Sequence, residues 1–137
     1  MGGRYYDGRG VAKDAREALS CYRKTAEQGY ARAQYSLAVK YDNGKDVPQD
    51  YAEALSWYRK AAEQGHPGAQ TNLGVLYYKG NGVKQDFVEA EKWFSIAGKA
   101  GYEDAKKNSE LMAKLMTEEQ AAEAQRQASE WKQPQKN

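Results

Sequence analysis

Tyr58–Gly65 reads "YRKAAEQG" and Tyr22–Gly29 reads "YRKTAEQG", so seven of eight residues agree. A domain with one ordinary core has no reason to repeat itself so closely. The two copies lie 36 residues apart, and the same step links Gly29, Gly65 and Gly101. It also links Tyr22, Tyr58 and Phe94, then Ala18, Ala54 and Ala90, and the segments "GRGV" at Gly8, "GKDV" at Gly44 and "GNGV" at Gly80. A constant period of this size, with nothing inserted or deleted, marks a stack of repeats rather than a duplicated loop.

One unit can be read in full. Ala33, Leu37, Ala38 and Tyr41 fall at helical spacing and predict a first helix. Gly44 suits a left-handed helix end, and Pro48 prevents continuation. Asp50 and Glu53 predict an N-cap with a reciprocal box, repeated at Asp14/Glu17 and Asp86/Glu89. The second helix then carries Tyr51, Ala54, Leu55, Tyr58, Ala61 and Ala62 on one face, widened by Trp57. Gly65 should close it, and His66-Pro67 should open the next unit. The expected units run over 1–29, 30–65 and 66–101, with a partial unit at 102–116.

Beyond Ala105 the pattern changes. Ser109 and Ala113 stand where a leucine and an aromatic are expected, so Leu111, Met112, Leu115 and Met116 are predicted to carry the apolar face. "TEEQ" at Thr117 is a capping box opening a helix over 117–131, with Ala121, Ala124, Ala128 and Trp131 on one side. That segment is expected to cap the open end of the stack, as terminal repeats do. Residues 132–137, "KQPQKN", are expected to be disordered.

Composition removes several function classes. The 21 basic and 19 acidic residues are spread evenly, leaving no basic stripe for nucleic acid. No apolar run is long enough to insert in a membrane. "MGGRYYDG" is not a secretory signal, but the chain starts within a unit, which leaves a preceding signal or further repeats, and hence the compartment, open. The single Cys21 excludes an internal disulfide and a cysteine metal cluster. It occupies the repeat position of Trp57 and Trp93, which predicts a buried, inert thiol.

Catalytic chemistry is equally scarce. The single histidine, His66, sits at a helix start and reads as a cap. Asp14, Asp50 and Asp86 read as caps too, and "GNGV" lacks the lysine and Ser/Thr of a phosphate loop. No enzyme, cofactor or metal site is expected. Most of the 11 tyrosines fall on repeating packing columns, leaving Tyr6, Tyr35 and Tyr78 outside them.

"AQYSLAVKYDNG" (33–44), "AQTNLGVLYYKGNGVKQD" (69–86) and "EALSWYRKAAEQG" (53–65) make the chain resemble the Sel-one-like repeat family over about residues 4–116. "TEEQAAEAQRQASEW" (117–131) also looks like the closing helix of bacterial members. The resemblance implies an all-α superhelical solenoid whose first helices line a concave face, serving as a non-catalytic adaptor for a protein or peptide partner. Aligned with that family, the positions turned toward the concave side are Tyr6, Arg32, Tyr35, Val39, Asp42, Thr71, Val75, Tyr78 and Lys79. The alternative is a structural fragment of a longer array whose binding site lies in other repeats. Because the first unit lacks its "AQxxLG" turn, self-association through the N-terminal end is a further expectation.

Overall fold

The computed structural model describes the backbone of residues 8–132 and 134, and the side chains of 16–132 and 134. Among these residues the chain forms seven helices and no strand: α1 (Gly8–Glu27), α2 (Ala31–Asn43), α3 (Tyr51–Glu63), α4 (Pro67–Lys79), α5 (Phe87–Lys99), α6 (Glu103–Leu115) and α7 (Glu118–Glu130). Each of the first five packs on its successor, whereas α7 returns to α5. This is an all-α stack in which α2, α4 and α6 are first helices and α3 and α5 second helices.

Loop chemistry explains why the elements fall where they do. Gly44 and Gly80 end α2 and α4 in the left-handed region, at φ 70° and 73°. Two residues on, Asp46 (φ 69°) and Gly82 (φ 74°) repeat that conformation. Asp46 shows that another residue can take this φ, but at Gly82 a Cβ would come within 2.7 Å of the Tyr51 backbone, and that close approach requires glycine. Gln49 and Gln85 fasten the two loops by donating to the carbonyls of Asp42 (2.7 Å) and Tyr78 (2.9 Å).

The caps differ from the expectation in one half. Asp50 and Asp86 accept from the Glu53 and Glu89 amides at 3.1 and 3.0 Å. Neither glutamate completes the box, because the Asp50 and Asp86 amides already donate to the carbonyls of Tyr41 and Tyr77 at 2.9 Å. Among the described residues the reciprocal box forms only at α7, between Thr117 and Gln120. His66 behaves as a cap, its Nδ1 accepting from the Ala69 amide at 3.0 Å.

The repeated "AQ" has a mechanical role. Gln34 and Gln70 are buried and donate to the carbonyls of Ala26 (3.1 Å) and Ala62 (3.0 Å), tying each first helix to the end of the preceding second helix. A second tie recurs on the other side of the unit. Arg23 and Arg59 each donate to a tyrosine hydroxyl, Tyr41 and Tyr77, and lie over its ring. Between these ties Leu37, Ala54, Tyr58, Ala61, Leu73, Trp93 and Phe94 are buried in the continuous core.

The first unit departs from the pattern. The helix runs unbroken from Gly8, so "GRGV" is helical and Asp14 lies inside α1 rather than capping it. Ala12 and Lys13 stand where the next copy has Pro48 and Gln49, so both the breaker and the loop fastener are missing. Cys21 is exposed, against the expectation of a buried thiol. No described helix covers that side of α1, and Tyr22 is 39% exposed where Tyr58 is 1%.

The C-terminal end also differs. Met112 is buried as expected, but Leu111 and Leu115 are 57% and 49% exposed. α7 lies on α5 and sets Trp131 edge-on to Trp93 at 6.1 Å. Glu91 of α5 joins α6 and α7, accepting from Ser109 (2.6 Å) and Gln125 (3.3 Å). Its burial holds the carboxyl above its ordinary range, against the lowering effect of Ser109. Of the expected disordered tail, residues 133 and 135–137 lie outside the described residues.

Candidate partner-binding face

The nine residues assigned to the concave side fall into separate groups. Tyr6 lies outside the described residues. Arg32 lines an open cleft of about 790 Å³ beside α1, together with Cys21, Tyr22 and Tyr30. Thr71 is only 4% exposed and its hydroxyl donates to the Pro67 carbonyl at 2.8 Å, so it is a packed helix residue and not a surface one. The remaining six stand on α2 and α4.

Tyr35 anchors the first cluster. Its ring stacks on His66 at 4.6 Å and lies 6.0 Å from Tyr58. This close approach depends on Gly68, where a Cβ would sit 3.3 Å from the Tyr35 ring. Below it, the Tyr58 hydroxyl donates to Asp42 Oδ2 at 2.9 Å and accepts from Asn72 Nδ2 at 3.2 Å. Asp42 is therefore engaged with the core and does not stand alone on the surface.

The electrostatics follow from burial. Desolvation, and then the adjacent Asp42, push the Tyr58 hydroxyl far above its usual pKa. Desolvation with Tyr102 and Asp42 nearby raises Tyr35, opposed by its hydrogen bond with Asn72. His66 is held below its usual value by burial and by the Arg32 charge, which keeps the imidazole neutral and Nδ1 able to accept. None of these groups is arranged as a nucleophile with its base. Among the described residues no three His, Cys, Asp or Glu side chains come together as metal ligands.

The second cluster is a groove between α4 and α6 of about 190 Å³. Val75, Tyr78 and Lys79 form one wall, Asn108, Leu111 and Met112 the other, and Phe94 of α5 also lines it. Tyr78 is 37% exposed and stacks against Phe87 at 5.9 Å. Val39 stands one unit before Val75, half-buried against the core.

Sequence reasoning missed His66 as a stacking platform, the Asn72 and Asn108 amides, and Leu111. The signal was present: Asn108 and Leu111 lie 36 residues beyond Asn72 and Val75. Continuing those columns through the altered last copy finds both.

Comparison with known proteins agrees with this architecture. The Sel1 repeat family model matches residues 1–30, 31–66 and 67–102. The structure resembles c5321, a protective antigen present in uropathogenic Escherichia coli strains that displays an SLR fold, with a TM-score of 0.81 and 36% identity. That match covers 83% of this chain and 25% of the antigen, so the chain spans about a quarter of the length of that protein. A Sel1 repeat protein from Oxalobacter formigenes matches with a TM-score of 0.66 and 38% identity, covering 69% of this chain and 39% of its own. The comparison with curated proteins gave no match. Three consecutive matched repeats, on the fold of solved SLR proteins, lead to one conclusion: the chain belongs to the Sel1 repeat family.

Proposed function

We propose that the chain is a non-catalytic interaction scaffold that takes a partner protein or peptide on the face shared by α2, α4 and α6. Sel1 repeat proteins generally serve as protein-interaction scaffolds. One observation carries the assignment of the face. Away from α1, the exposed large apolar side chains Tyr78, Leu111 and Leu115 all belong to the first helices α4 and α6. Exposed apolar surface of this kind marks interaction sites. No helix of the described residues is long and apolar enough to cross a membrane, and Asp42 and His66 beside the face are occupied by a core contact and a cap.

A photo-crosslinking residue at Val75, compared with one at the exposed Ser56 of α3, tests the reading in extracts of the source cell. Specific adducts are expected from position 75, competed away by excess unmodified chain. Adducts from position 56 alone would place the site on the second-helix side. Tyr35 is unsuited to such a test, since its ring also covers His66 and Tyr58. A second reading has support from the coverage of a quarter of c5321: the chain is a structural segment of a longer array, with the partner held elsewhere. Competed adducts from the longer protein, with none from position 75 of that protein, would favour it.

A further inference from the structure

The last copy of the first-helix pattern differs from the middle one in a way that changes what its groove can hold. In the middle copy Asn72 spends its amide on the Tyr58 hydroxyl, which Asp42 also holds. One repeat later the tyrosine is Phe94, which has no hydroxyl, and the amide of Asn108 lines the α4–α6 groove instead. The same groove carries Leu111 where earlier copies have Val39 and Val75, and it is 57% exposed. An apolar lining with one side-chain amide suits a peptide that inserts an apolar side chain and offers its backbone to the amide.

The surrounding charge selects among such peptides. Lys79 lines the groove on α4. On α6, Lys107, Leu111 and Lys114 follow at i, i+4 and i+7, placing two exposed lysines along the helix face that bears Leu111. Among the described residues none of these three lysines forms an ion pair. Asp104 sits farther up α6, in its first turn.

We propose that the α4–α6 groove binds an acidic peptide segment of a partner protein, seated by one apolar side chain against Leu111 and Val75 and hydrogen-bonded by Asn108. The lysines steer and orient the segment, and the groove supplies the anchor. This rests on the reading of the first-helix face as the binding face and adds the position and chemistry of the ligand.

The test is selection of random twelve-residue peptides displayed on phage against the full chain, followed by anisotropy titration of an enriched peptide. Enriched sequences are expected to carry Leu, Met or Phe flanked by Asp or Glu. Leu111→Glu and Lys79→Glu should each weaken binding by about tenfold or more, and raising the salt should weaken it further. Asn108→Ala should weaken it with little change in salt dependence. Leu111 and Lys79 are exposed, so circular dichroism melts of their variants should match that of the parent. Basic or uncharged consensus peptides, or undiminished binding to Leu111→Glu, would overturn the proposal. Binding lost in Val39→Glu but kept in Leu111→Glu would overturn this subsite while leaving the face intact. Loss only in Ser56→Glu would overturn both. A concentration-dependent dimer that Leu111→Glu abolishes, with no peptide enriched, would show that a second copy fills the groove instead.

Discussion

Helices α1 and α3 share the segment "YRK-AEQG" and yet bury it differently. In α3, Ala54, Trp57, Tyr58 and Ala61 are all buried. At the matching positions of α1, Ala18, Cys21, Tyr22 and Thr25 are exposed. What the two helices have in common is their inner connection to the following unit: Ala26 and Ala62 are both buried and accept from Gln34 and Gln70. What separates them is the other flank. α3 lies between α2 and α4, whereas among the described helices α1 packs mainly on α2. In a stacked repeat the burial of a side chain is thus a property of its neighbours as much as of its own helix.

The largest expected effect tests that dependence directly. Trp57→Ala should cost about 3–5 kcal/mol, the range for truncating a large buried aromatic. Denaturant unfolding would measure it. A cost near that of a surface change would mean that α3 is not held between its neighbours in solution. Next in size, Tyr58→Phe removes a hydroxyl bonded to both Asp42 and Asn72 and should cost about 1–3 kcal/mol, counting the groups left unpaired. Tyr22→Phe in the same assay should change stability by no more than about 0.5 kcal/mol. Equal effects at the two tyrosines would erase the contrast.

A pH comparison sharpens the other end of the stack. The folded-state pKa of Glu91 is raised by burial, so the native chain holds a proton that the unfolded chain releases first. Its contribution to stability is therefore largest at low pH, declines from the ordinary carboxyl range upward, and levels off above the folded pKa. Melting temperatures from about pH 4 to about pH 7 should fall for the parent relative to Glu91→Gln. A difference that stays constant or grows would contradict the buried setting between α6 and α7. The smallest effect is at the exposed end: Cys21→Ala should shift stability by under about 0.5 kcal/mol. The same thiol should react with a disulfide reagent without prior unfolding, whereas a cysteine introduced at Trp57 should require unfolding.

The repeat step alone located most of the architecture. Gly65 and Gly101, the Asp50 and Asp86 caps and the second-helix stripe of Ala54, Tyr58 and Ala61 all follow from short-range backbone and packing rules that act within one unit. The capping box at Thr117 was equally legible, since its partners are three residues apart. Thr71 was misplaced because helical spacing gives a face but not its covering, and here the covering comes from neighbouring helices.

What the sequence determined by itself is therefore the family, the helical unit and its punctuation, because these depend on residues close along the chain and on a repeated period. What only the tertiary structure decided is which copies of the same residue are buried and which polar groups are already engaged. Tyr22 and Tyr58 are the same letter with 39% and 1% exposure, and Asn72 and Asn108 are the same letter, one bonded to a tyrosine hydroxyl and the other lining a groove beside a phenylalanine. Burial and hydrogen bonding are set by the helix across the gap, 14 or more residues away in these cases, where the local pattern carries no instruction.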